Sequence, residues 1–289
     1  MIKLSIPGLF DNYPTLMQIL QEYYENRNLF YDDRIIDSFY GTENSLIWRG
    51  GRTLHVIYPY NLDDIYKSLE QFPEIKVRHT FTNCLINEQI INDYSCNNFV
   101  KRYIRPQDEV ILNHPLLIKH FQDNYPNIPI IYSTTLDIKD IDKVNELTKN
   151  HIYVLNYNYN NDKQYLAKLE HPNNIEIICA EPCLYNCSMR AQHYKTISKE
   201  TLAIPLDKED IEFCPFIKNP ITFYEIMQRP HAITNERLKE LEKQGFEYYK
   251  ISGRGIYPVQ LINVLLYYLA QPQYIDHIRE KILRRMYYG

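Results

Sequence analysis

Asn173 to Tyr194 reads NNIEIICAEPCLYNCSMRAQHY. Ile175 to Cys179 is apolar throughout except at Glu176, the pattern of a parallel strand buried on both faces. It runs straight into Cys183, Cys187, Arg190, His193 and Tyr194. In parallel sheets closed into barrels, functional side chains collect at the carboxyl ends of the strands. The stretch therefore predicts a chemically loaded segment at one mouth of a strand ring.

The same motif repeats outward in both directions. Short runs at Ile2 to Ile6, Ile35 to Tyr40, Ile75 to Phe81, Glu109 to Asn113, Ile130 to Tyr132, Ile152 to Leu155 and Tyr248 to Ile251 bring the strands to eight. Helical periodicity falls at Asn12 to Asn26, Asn61 to Phe72, Glu88 to Tyr103, Pro115 to Asn124, Ile138 to Lys149 and Asp162 to Leu169. Further helices are expected at Asn235 to Gln244, Tyr257 to Ala270 and Tyr274 to Arg285. Eight strands, most followed by a helix, predict a TIM-like (β/α)8 barrel. An open doubly wound sheet has the same alternation and is the alternative. The rhythm fails over residues 183–230, read here as a cysteine-bearing insertion after the seventh strand, within a single domain spanning residues 1–289. No internal repeat and no low-complexity linker divides the chain.

Composition narrows the function classes. An apolar fraction of 45% supports a full core, and a net charge of −4 offers no basic field for wrapping nucleic acid. The 27 tyrosines are scattered rather than patterned, as an AT-rich coding sequence gives. MIKLSIPGLF is too short and polar for a secretion signal, and no apolar run reaches membrane-spanning length, so no membrane association is expected. Six cysteines in a chain of this size and kind point to a reducing compartment, hence a cytoplasmic protein, and to metal or thiol chemistry rather than disulfides.

Cys183 and Cys187 are spaced C-x3-C, and Cys214 follows in EFCPF. Soft thiolates on irregular backbone suit iron–sulfur or zinc. The remaining ligand is open between Cys96, Cys179, Cys84 and His193, the last giving a zinc site of three cysteines and one histidine. The competing reading is that these are core thiols, since free cysteine packs as a small apolar residue. Arg190, His193 and Tyr194 share one helix face if a helix forms, as substrate contacts or as donors that steady the thiolates. Glu176 inside its strand is a candidate acid or base, or one half of a buried ion pair.

Lys250 and Arg254 flank Gly253, an arrangement for holding an anion, or for an arginine tied to a structural carboxylate. Arg49 and Arg52 bracket a Gly-Gly pair as a second candidate anion clamp or a solvated loop. Asn83, Asn113 and Asn156 each end a strand, where an amide can orient a ligand or simply form a turn. No H-E-x-x-H, G-x-S-x-G or G-x-G-x-x-G is present.

Three stretches resemble the collagenase-like peptidase family U-32. They are IEIICAEPCLYNC, EYYKISGR with the helix YPVQLINVLLYYLAQ, and DEVILNHPLLIKHF with PIIYSTT. The family includes iron–sulfur proteins of oxygen-independent hydroxylation of ubiquinone precursors, tRNA and ribosomal RNA. The resemblance covers about Ile35 to Ala270. It departs at Ser252, which stands where the family usually has Glu, and the long carboxyl-terminal extension of many members is missing, as in a short, divergent branch. The resemblance implies a 4Fe-4S cluster on Cys183, Cys187, Cys214 and a fourth ligand such as Cys96, with zinc as the alternative. It implies hydroxylation of a small-molecule or nucleic-acid-derived substrate held by Lys250, Arg254 and Arg190. A metal-dependent peptidase, as the family name suggests, and a non-catalytic barrel that serves as a partner subunit are the other readings.

Overall fold

The computed structural model describes residues 1–51, 60–211, 221–253 and 256–288. Its strands are β1 (Ile2–Pro7), β2 (Arg34–Gly41), β3 (Lys76–Phe81), β4 (Glu109–Leu112), β5 (Ile130–Tyr132), β6 (Tyr153–Val154), β7 (Ile175–Cys179) and β8 (Tyr248–Ile251). Each pairs in parallel with the next, and β8 returns to β1 through Lys3↔Tyr248 and Ser5↔Lys250, so the sheet is a closed eight-stranded barrel. The open-sheet alternative is thereby excluded.

Helices wrap the ring. The first half contributes α1 (Tyr13–Glu25), α2 (Leu62–Leu69), α3 (Glu88–Ile91), α4 (Tyr94–Tyr103), α5 (Pro115–Asn124), α6 (Ile141–Thr148) and α7 (Lys163–Leu166). The second half contributes α8 (Arg190–Thr201), α9 (Lys208–Ile211), α10 (Phe223–Met227), α11 (Asn235–Lys243), α12 (Pro258–Leu269) and α13 (Ile275–Tyr288). The single helix expected over Glu88 to Tyr103 is two. Asp93 stops the first and caps the second, its carboxylate accepting from the Cys96 amide at 2.8 Å. Within 183–230, where no clean periodicity was legible, α8 forms with buried Thr196, Ile197 and Ser198, a mixed face that apolar counting passes over.

Most of the apolar core lies between the sheet and the helices. The outward side chains Leu4, Val77, Leu112, Ile177 and Tyr249 meet α1, α4, α5 and α12 there. On α12, Leu261, Ile262, Leu265, Leu266 and Leu269 are all fully buried. Trp48, the only tryptophan, is buried in this layer against Phe81 and Phe121, and its indole N–H donates to Ile90 O at 2.8 Å. The loop that carries it lies tight on the end of β3. A Cβ on Gly50 would stand 2.3 Å from Thr82 O, so only glycine permits that approach.

The barrel interior has two storeys of opposite character. The lower is ionic. A register shift between Leu4 and Ser5 inserts an extra residue into β2 and brings both Asp37 and Ser38 inward. Arg78, fully buried, is the hub. It donates to Glu109 at 2.7 Å, to Asp37 at 3.1 Å, and to Glu176 and Ser5. Burial opposes its charge, but Glu176, Glu109 and Asp37 outweigh burial and hold its pKa above the usual arginine value. Above this lies an apolar storey of Tyr40, Ile111, Ile131, Val154, Tyr157 and Ile178, with Cys183 packed on it.

Candidate active site

The upper storey is the floor of a cavity of about 100 Å³ at the carboxyl ends of the strands. Tyr40, Ile111, Val154 and Ile178 form the floor, and Thr80, Thr82, Ser133 and Ser252 ring it with hydroxyls. Cys183, Cys187, Met189, Arg190, His193 and Tyr194 make one wall, all from the segment after β7.

Lys250 enters from β8. Its ammonium lies 3.8 Å from Glu176 Oε2 and 3.5 Å from the centre of the Tyr40 ring, with the side chain 12% exposed. Glu176 is thus an inward side chain of the ionic storey, joined to Arg78 and Lys250, the buried-pair alternative among the expectations for it. Its Oε1 accepts from Ser5 at 2.7 Å and from Arg78, while Oε2 accepts no hydrogen bond among the described residues.

Glu181 organises the turn that bears the cysteines. Its Oε1 accepts from the Cys183 amide at 3.1 Å and its Oε2 from Ser252 at 3.3 Å, tying the segment after β7 to the end of β8. His231 sits behind it, with Nε2 3.1 Å from Glu181 O and its ring 4.7 Å from that of Tyr157. Tyr157 donates to Leu184 O at 3.1 Å. Burial lowers the His231 pKa, so the imidazole supporting the turn is neutral near pH 7.

Arg190 opens α8 and is heavily committed. It donates to Tyr194 at 2.8 Å and to the Thr134 hydroxyl at 2.8 Å, and its guanidinium stacks 4.8 Å from the Tyr157 ring. Burial opposes its charge, but Tyr194, Tyr157 and Glu181 raise its pKa overall. It pins the start of α8 to the turn after β5. His193, one turn on, lines the cavity with it.

Several candidates lie elsewhere. Cys96 is fully buried under α4, where burial pushes its thiol up to about 12 and it bonds to Trp48 and Ile47 backbone. It is not beside Cys183 and Cys187, because its helix turns that face into the outer core. Cys179 alternates with the inward Ile178 and so packs in the outer core, its pKa raised by burial. Cys84 contacts Ser198 at 3.3 Å, against the middle of α8.

Each strand-end asparagine donates its amide to a protein partner. Asn83 donates to Ile47 O at 2.8 Å and accepts from the Leu85 amide at 2.9 Å. Asn113 donates to Thr82 O at 3.0 Å. Asn156 donates to Asp137 and caps the next turn through the Asn158 amide at 3.0 Å. Arg49 is half-buried; burial lowers its pKa against the pull of Glu43, Glu200 and Asp11, and its neighbour Gly51 lines the cavity in its place. Arg52, Cys214 and Arg254 lie outside the described residues.

Among the described residues, no three His, Cys, Asp or Glu side chains group as a metal-binding set. The two wall thiols alone do not fit a cluster or a tetrahedral zinc ion, which need three or four donors. No helix among them is long and apolar enough to cross a membrane.

Sequence reasoning missed Arg78, Glu181, Tyr40 and the two threonines of the hydroxyl ring, Thr80 and Thr82. The signal for Arg78 was present: a cation at an inward position of an otherwise buried strand, KVRHTF, needs partners inside the ring.

Fold and site together define a (β/α)8-barrel protein with a ligand-sized chamber at its carboxyl-end mouth. No protein-family model matches the sequence, and no curated protein is similar enough to count as a relative. Among solved structures the chain is similar to one titled the structure of the U32 peptidase Mk0906. The identity is 15% with a TM-score of 0.56, over 88% of this chain and 93% of that one. That likeness bears on the fold.

Proposed function

We propose that the chain is a U32-type protein that works on a small molecule at the barrel mouth. The observation that carries this reading is the meeting of two elements around one cavity. Cys183 and Cys187 come from the segment after β7, and Lys250 and Ser252 from the end of β8. Both lie in stretches that carry the sequence resemblance to that family, and the likeness of fold to a U32 peptidase agrees with it.

On this reading the wall cysteines are two ligands of an iron–sulfur cluster, with Cys214 as a third. Bound there, a cluster would supply electron transfer for a hydroxylase-type reaction. The described residues supply only two of its thiols, so no step is drawn through it. The chain's own groups do the rest. The apolar floor receives the body of the substrate, the hydroxyl ring orients its polar atoms, and Lys250 places a positive charge beneath them. A peptidase role has only the neighbour's title behind it.

Anaerobic isolation decides. Brown protein containing iron and acid-labile sulfide, both lost in Cys183→Ala and Cys214→Ala but kept in Cys96→Ala, is the expected result. Colourless protein free of sulfide, with either wall cysteine dispensable, overturns the cluster.

A further inference from the structure

We propose that Lys250 is a carbonyl-capturing amine, so that the mouth cavity takes small aldehydes or 2-oxo acids as covalent imine adducts. Its placement favours this. Lys250 reaches the cavity from below, with its stem between the ionic storey and the apolar floor. A lysine amine in such a setting is a nucleophile once a neighbour takes its proton.

Glu176 is that neighbour. Its Oε1 is occupied by Ser5 and Arg78, and its Oε2, 3.8 Å from the amine, accepts no hydrogen bond among the described residues. In the proposed step that oxygen receives the proton.

The charge balance then selects the product. Asp37, Glu109 and Glu176 face Arg78, Lys76 and Lys250 within the barrel. This set is neutral when the Lys250 nitrogen carries its charge. A protonated imine keeps that charge beside Glu176, whereas acylation would remove it and leave a buried carboxylate in excess. The structure therefore favours carbonyl compounds over acyl donors.

In the capture step the ammonium yields one proton to Glu176 Oε2, and the nitrogen lone pair forms a C–N bond to the carbonyl carbon while the C=O π bond breaks. The resulting carbinolamine oxygen takes up two protons, one from the nitrogen and one returned from Glu176, and leaves as water. The C=N bond forms, and the nitrogen keeps one proton and stays cationic. A cavity of about 100 Å³ suits a small carbonyl compound.

The test is reductive trapping on the intact chain, run without metal so that it is independent of the cluster. Pyruvate and glyceraldehyde are supplied in turn with cyanoborohydride, and each lysine is quantified by peptide mapping. Lys250 is expected to be labelled at least about tenfold faster than the exposed Lys119, with saturation in carbonyl concentration, as an activated amine in a site behaves. Lys250→Arg should abolish the fast phase, and Glu176→Gln should slow it. Wild-type protein alone is decisive should either variant misfold, because Lys119 is an internal standard. Labelling of Lys250 no faster than Lys119 overturns the proposal while leaving the iron and sulfide result untouched. Fast labelling in sulfide-free protein sustains it even as the cluster reading fails.

Discussion

Arg78 is the residue on which the barrel interior depends. It sits at zero exposure among Asp37, Glu109 and Glu176, each of which would otherwise be left with only a lysine 3.6 to 3.8 Å away. Buried ion pairs gain little over well-packed apolar groups, but removing one partner is costly. Arg78→Met is expected to lower unfolding free energy by about 3–5 kcal/mol. Urea denaturation against an exposed control, Lys119→Ala, checks it. A loss within the control's error would mean that water or rearrangement satisfies the carboxylates. The same residue marks the limit of sequence reading. Arg78 alternates with outward Val77 and His79, but a period of two does not say which face is inside a closed ring. Glu176 was noticed because it interrupts IEIIC; Arg78, in the more polar KVRHTF, was not.

At the scale of elements, the strands were the legible part. β5, β7 and β8 match the expected bounds, and β7, buried along its whole length, reads as a nearly continuous apolar run. Helix α8 was not legible, and its stability explains why. Polar pins hold it: Arg190 to Thr134, Ser198 to Cys84, and Gln192 and Thr196 to Asp210. Such pins leave no apolar stripe for periodicity to find. The cysteine-bearing turn depends on the first of them. In Arg190→Ala, amides of residues 186–194 should exchange hydrogen faster while those of β7 and β8 keep their protection. Hydrogen exchange with mass spectrometry reads this directly, and uniform loss of protection across the barrel would instead assign Arg190 to global stability. The site itself was half legible. Cys183, Cys187, Arg190, His193 and Lys250 converge as chain order suggested, but Glu181 and the threonines of the hydroxyl ring depend on pairings between strands that the sequence does not display.

For the whole molecule, buried imidazoles govern the response to acid. His79, fully buried among Phe10, Phe81 and Phe99, and His231 behind the cysteine turn both have pKa values lowered by burial. Unfolded, each binds a proton near its ordinary value of about 6.5, while the fold keeps it neutral. Below that value the unfolded chain therefore holds more protons. Stability is full above about pH 6.5 and falls as the pH drops from there towards the folded-state values. Asp108 works on a lower window. Burial opposes its charge, but His79 and Arg105 lower its pKa overall, so the stability it contributes is present above the ordinary carboxylate value and is lost as the pH falls through the folded one. Urea midpoints taken from pH 8 down to pH 5 should decline chiefly below about 6.5. His79→Phe, which suits its aromatic surroundings, should flatten part of that decline. A midpoint that does not move over this range would show that both rings titrate alike in the folded and unfolded states.

Trp48 has one more consequence. It is the sole indole in the chain, sealed from water and carried by the loop whose Gly50 rests on the end of β3, with Gly51 at the cavity. The protein thus contains a single indole, in the outer core on the loop that reaches the cavity at Gly51. Emission excited selectively from it reports from one known address, and a shift in that signal on adding a small molecule can be ascribed to that loop without any label being attached.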